Sequence, residues 1–346
     1  MLTLDLRFAE SLWPIISRLA NGRDCPDEWW VALKNQPSLD PVLQNAFVEE
    51  EDHRQLRLEE WRSIWEVAAG RTLHMTPDGR RQEYALANAR FALQNADMLG
   101  ALLHRLHGAM AETTLRVEKT AYGNLPEDAH CAPEIRIVAG TTSGGFVDDI
   151  SVYVDLAVLS SLGADQRLVE QFLAHELWHS GHWSLVEKHR YLDAPWFIPL
   201  AQIQSEGLVN FLIGGTYELY SHKSVAGQPE EKEYAQRFLA YADSMHAEAP
   251  ARIRELYEKI GRLVRGDVEA YRQYVSGLPD GPGYLHGRYM AQVVDKAFGR
   301  KKLLSTSPDP AAFLLLYADA CSELGIEGPP EETCETIRTV ATITSD

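Results

Sequence analysis

Apolar residues recur three and four apart through most of the chain, and they alternate in only one short central stretch. Phe8, Leu12, Ile15, Ile16 and Leu19 mark one face of an N-terminal helix that Asn21-Gly22 breaks. Asp27 and Ser38 can cap later helices. Leu43, Phe47, Leu56, Leu58, Trp61, Ile64 and Trp65 sit among many charges, and EEEDHR at 49–54 reads as a solvated face. Tyr84, Leu86, Phe91, Leu93, Met98, Leu99, Leu102 and Leu103 predict one long helix over 82–115. Near residue 117 the character changes. TAYGNLPED is turn-rich, EIRIVAG alternates like a strand, TTSGGFVDD reads as a Gly-rich loop, and ISVYVDLAVL reads as a second strand.

Two helices follow the strands. VEQFLAHELWHSGHW carries Leu168, Val169, Phe172 and Leu173 on one apolar face, with Asp165 as its N-cap after Gly163. WFIPLAQIQSEGLVNFLIGG is a more apolar helix in which Gln202, Glu206 and Asn210 are spaced four apart. Beyond it the spacing predicts helices at 230–248, 250–263, 267–276, 286–299 and 309–322, with GLPDGPG as a rigid break before Tyr284. The expectation is a predominantly helical α+β chain in three parts. Residues 1–116 form a helical subdomain, 117–215 a core of strands and the two central helices, and 216–346 a second helical subdomain.

The composition narrows the function. The chain has 346 residues and 45% apolar content, enough for a large core. A formal charge of −17 argues against a general nucleic-acid binder, which needs clustered Lys and Arg. No run of eighteen apolar residues is present and the N-terminus lacks signal-peptide character, so no membrane partner is expected. Cys25, Cys131, Cys321 and Cys334 are scattered, which suits reduced thiols in a cytoplasmic protein, with a Cys321–Cys334 disulfide as the alternative.

The candidate chemistry lies in His175-Glu176-Leu177-Trp178-His179. On a helix, residues four apart share a face, so both imidazoles can reach one cation, and Glu176 borders that face. Two neutral imidazoles and a flanking carboxylate are two ligands and a general base for a zinc hydrolase. A catalytic Zn2+ needs a third protein ligand. His182 is one candidate, but a continuing helix carries it round and a turn further on. Position 185 is Leu, which excludes the H-E-x-x-H-x-x-G-x-x-H arrangement. Glu206 is the other candidate, because a carboxylate on so apolar a helix is costly unless paired or ligating. Asp148, Asp149 and Asp155 read as turn and strand-end residues, with acceptance from a ligand imidazole as the alternative. TTSGGFVDD lacks the following Lys of a phosphate loop.

H-E-x-x-H followed some two dozen residues later by Glu206 resembles the gluzincin metallopeptidases, thermolysin-like in the broad sense. The closer likeness is to uncharacterised bacterial families grouped as zinc-dependent peptidases. They share the S-E-G-x-x-N stretch and a later Tyr-x-x-Gly helix followed by F/Y-G, here Tyr284, Gly287 and Phe298-Gly299. The resemblance covers roughly residues 130–320. It implies a small mixed or antiparallel sheet packed on the motif helix, with an edge strand able to pair with an extended peptide. It implies Glu206 as third ligand. The Asp four residues later that orients a ligand His in that clan is here Asn210, which would accept that hydrogen bond more weakly through its amide oxygen. Among Tyr284, His286, Arg288 and Tyr289, it favours Tyr284 as oxyanion donor, with His286 second.

These readings converge on a metallopeptidase acting on a peptide or protein substrate, with Glu176 as base. The alternatives are an amidase on the same scaffold, or a metal-binding protein with a binding or regulatory role. No G-x-M-E-N-like stretch favours an aminopeptidase.

Overall fold

A computed structural model describes residues 2–45, 56–71, 80–141, 143–148, 150–163, 165–189, 191–226, 229–279 and 281–343. The protein is a predominantly helical α+β fold with one small mixed sheet. Phe47, the charged run at 49–54 and Asp149 lie outside the described residues, as does the side chain of Tyr84. Two compact units are resolved: residues 1–119 with 132–177, and 120–131 with 178–346.

The first unit holds the sheet, in which β1 is Thr3–Asp5, β2 Glu134–Val138, β3 Gly145–Val147 and β4 Ser151–Asp155. Its strand order is β1-β2-β4-β3, with the first two pairings parallel and the last antiparallel. β4 is buried along its whole length, as a central strand should be. Two of these strands escape the reading from sequence. β1 precedes the first helix, and its signal is the alternation of buried Leu2, Leu4 and Leu6. β3 lies inside the Gly-rich loop, where Phe146 stacks on Tyr153 across the β3–β4 ladder at 4.6 Å. Trp30, Trp61 and Trp65 pack edge to face nearby, and the Trp61 indole donates to the Gly140 carbonyl.

The helix expected over 82–115 is three helices, Arg80–Gln94, Ala96–Gly108 and Met110–Tyr122. At the first break both the backbone N–H and the side-chain amide of Asn95 bond to the Phe91 carbonyl. Asn competes for the helix carbonyls in this way, which is why it favours helix ends. The opposite occurs in the second unit. Residues 229–264 form a single helix through Pro250, where two helices were expected. Buried Phe238, Ala242, Met245, Ala249, Ile253, Leu256 and Ile260 keep one continuous packed face, and that packing outweighs the one donor lost at proline.

The helix Phe197–Leu212 carries Glu206 within the second unit. A π-helical turn, Gly283–Gly287, packs against it and leads into the helix Arg288–Phe298. A Cβ on Gly207 would fall 2.4 Å from the Gly287 carbonyl carbon, and one on Gly287 would fall 2.3 Å from the Ile203 oxygen. The two backbones therefore touch directly, and neither position accepts a side chain without displacement. Among the described residues no helix is long and apolar enough to cross a membrane.

Candidate metal centre

The motif helix is Gln166–Val186. Asp165 starts it by accepting from the Arg167 N–H at 2.9 Å, in the N-terminal role its position suggested. Glu170 fixes the first turns through a bidentate pair with Arg116, at 2.7 and 2.6 Å. Leu173, Ala174, Leu177 and Trp178 are buried, so the register of the helix is set before any ligand is considered.

The ligating atoms of His175, His179 and Glu206 lie within 4.8 Å of one another. His175 is buried and stacks on Phe172. His179 Nε2 is 3.5 Å from Glu206 Oε1, while its Nδ1 is 2.8 Å from Ser205 Oγ. The donor set suits zinc: two imidazole nitrogens and one carboxylate oxygen leave one position open. Bonds of ~2.0–2.2 Å in a tetrahedron place ligand atoms roughly 3.3–3.6 Å apart. The His179–Glu206 distance is already in that range.

Glu176 stands apart from these donors. β3 runs against it: a Cβ on Gly145 would meet the Glu176 carboxylate carbon and Oε2 at 2.4 Å. Burial pushes the Glu176 carboxyl up to about 8. A cation bound beside it would act in the opposite direction. The loop before β3 is tied down by Asn88, which donates to the Thr141 carbonyl, and by Asp155, which accepts from the Thr141 N–H and hydroxyl. Asp155 also caps the helix Leu156–Ser161, and Asp148 accepts from the Ile150 and Ser151 N–H groups and the Tyr153 hydroxyl. Both act on the strand ends, as their turn-like setting suggested.

The remaining candidates separate cleanly. His182 does not join the cluster. It is fully buried, lies flat on Trp178 at 5.0 Å, and its Nε2 is 3.3 Å from Gln204 Oε1. Burial lowers its pKa to about 4, so the ring is neutral. Gln204 in turn donates to the Thr306 carbonyl at 2.6 Å. Asn210 lies beside the cluster and donates to Glu206. Its amide donates to the Glu206 backbone oxygen at 2.9 Å and to Glu206 Oε2 at 3.4 Å. It therefore steadies the carboxylate and accepts nothing from an imidazole through these bonds.

Tyr284 is half-buried on the π-turn, next to Gly283, whose Cβ position lies 2.5 Å from Glu206 Cβ. His286 is fully buried, with Nε2 at 3.2 Å from the Tyr241 hydroxyl and 3.4 Å from that of Tyr274. Burial, with Arg252 nearby, lowers its pKa to about 4. Arg288 and Tyr289 line a separate cavity of about 190 Å³ with Tyr217, Asp243 and Leu285. Ser205 and Gly145 were not singled out from sequence. Ser205 lies inside the S-E-G stretch, but its partner is 26 residues away.

Within a helical α+β fold, His175 and His179 on one helix and Glu206 on another form a donor cluster that could hold a metal ion. The chain belongs to the family described as "Putative zinc dependent peptidase (DUF5700)", whose model matches residues 43–325. No curated protein and no solved structure matches it.

Proposed function

We propose that this protein is a zinc-dependent metallopeptidase of the gluzincin kind, in which His175, His179 and Glu206 hold the ion and Glu176 is the general base. The observation that supports this most is the separation of roles: three donors converge, while the adjacent carboxylate is held against β3 instead. Zinc at such a site supplies a Lewis acid for the scissile carbonyl and brings the pKa of water to about 7. Glu176 takes one proton from the attacking water as the oxygen–carbon bond forms. It returns that proton to the amine nitrogen as the carbon–nitrogen bond breaks. Gly145 lets the strand backbone close over the base without displacing it. Tyr284 donates a hydrogen bond to the carbonyl oxygen as charge develops there.

The substrate is an extended peptide or protein segment. β3 is the edge of its sheet and lies against Glu176, so a peptide added as a further strand would run past the base. Cys25, Cys321 and Cys334 form no disulfide with one another, which supports a cytoplasmic setting. Identification of new peptide termini after incubating purified wild type or Glu176→Gln with a proteome tests the activity. Termini made only by the wild type are expected. Release of small amines with no new termini would favour the amidase, and neither product with a zinc-loaded protein would favour a binding role.

A further inference from the structure

We propose that Ser205 is the positioning residue that sets the proton and the ring angle of His179 for metal binding. The inference rests on the zinc reading above. A neutral imidazole has one N–H, and a nitrogen that gives its lone pair to a cation cannot carry it. His179 Nε2 faces Glu206 Oε1 at 3.5 Å, within the donor cluster. The proton must then sit on Nδ1, and the atom that Nδ1 meets must accept. That atom is Ser205 Oγ at 2.8 Å, on a residue only 2% exposed. At that distance Nδ1 and the hydroxyl oxygen are hydrogen-bonded.

The pair has a second arrangement. If the Ser205 hydroxyl donates to Nδ1, the proton sits on Nε2 and points at Glu206. The result is a His–Glu hydrogen bond that occupies both donors and closes the site to a cation. Ser205 can serve both arrangements because a hydroxyl both donates and accepts. The metal-ready state is the one in which it accepts. Asn210 supports the same state from the other side, by donating to Glu206 Oε2 and leaving Oε1 toward His179. Ser205 also follows the helical register of its ligand. It precedes Glu206 by one residue, so one helix delivers both the carboxylate and the group that orients the imidazole beside it.

The test measures zinc affinity by competition with a chromogenic chelator, using the full chain as wild type, Ser205→Ala, Ser205→Thr and His175→Ala. Nitrogen NMR of the His179 ring in the wild type, metal-free and zinc-loaded, is read alongside. Ser205→Ala should bind zinc roughly 10- to 100-fold more weakly, the usual loss when the partner of a ligand imidazole is removed. Ser205→Thr, which keeps the hydroxyl, should recover most of that loss. The zinc-loaded wild type should carry its His179 proton on Nδ1. Two results would overturn the inference while leaving the zinc site intact: unchanged affinity in Ser205→Ala when His175→Ala loses zinc, or a proton on Nε2 in the loaded protein. Equal zinc binding by His175→Ala and wild type would overturn the site itself, and the inference with it. The wild-type NMR result decides the matter even if a variant fails to fold.

Discussion

His179 and His182 sit three residues apart on one helix and both face the helix Phe197–Leu212, yet their surroundings give them opposite characters. His179 has a serine hydroxyl on one nitrogen and a carboxylate near the other. Both of its nitrogens meet polar side-chain atoms, one of them on a carboxylate. His182 has a neutral amide on one nitrogen, a tryptophan on its face and no accessible surface. Burial without a charge holds it neutral and makes it a strut linking two helices to the Thr306 backbone. Histidine count therefore says little about a metal site. What separates the two is a carboxylate within reach of the ring.

The contrast is broken most severely by metal content. Glu206→Ala should lose most bound zinc, because it removes the one anionic donor in the cluster, while His182→Ala should keep it. Zinc analysis of the purified variants reads this directly. Retention in Glu206→Ala together with loss in His182→Ala would exchange the two roles.

The next effect separates chemistry from binding. Glu176→Gln keeps the side-chain shape but cannot take a proton at neutral pH, so hydrolysis should fall by about 10²-fold or more with zinc content unchanged. Gly145→Ala reaches the same group from the strand side. A methyl at that position collides with the carboxylate, so activity should fall while zinc remains. Full activity in both variants would remove Glu176 from the mechanism.

A smaller contrast lies on the π-turn, where Tyr284 is half-buried and His286 fully buried. Tyr284→Phe should lower kcat by roughly 10- to 1,000-fold with little change in melting temperature, as expected for a donor to developing charge. His286→Gln should instead lower the melting temperature, since the ring is held by two phenols. A silent Tyr284→Phe in steady-state kinetics would assign that phenol to packing.

The smallest effect is the acid dependence of stability. His182 and His286 have folded pKa values near 4, below about 6.5 for an unfolded histidine. Between those values the unfolded chain binds protons that the folded chain does not. Stability from these two rings is therefore complete above pH 6.5 and is lost as pH falls from 6.5 to about 4. Each ring contributes on the order of 3 kcal/mol to that loss. Denaturant melts across that window should show a shallower acid limb in His286→Gln. An unchanged limb would mean that the ring is already solvated.

The features legible in the sequence are those with local physical causes. Helical spacing places His175 and His179 on one face, and Asp165 opens their helix. The cost of burying a lone carboxylate singles out Glu206 on its apolar helix. Contacts formed only by the tertiary fold were not legible. The serine that meets His179 is one of several uncharged polar residues on its helix until the two helices pack. Gly145 reads as loop until β3 pairs with β4 and presses on Glu176. β1 is a short alternation of Leu2, Leu4 and Leu6 that becomes a strand by pairing with Glu134–Arg136. Asn95 and Pro250 show the same balance: a side chain that folds back on its own helix ends it, while a long buried face carries a helix through a proline.

The central claim is that His175, His179 and Glu206 share one zinc ion. Anomalous diffraction at the zinc absorption edge, on crystals of the protein purified without chelator, tests it most directly. One strong peak should lie within bonding distance, ~2.0–2.2 Å, of an imidazole nitrogen of each histidine and a carboxylate oxygen of Glu206. A peak beside His182, or a zinc-replete protein with no peak among these three residues, would contradict it.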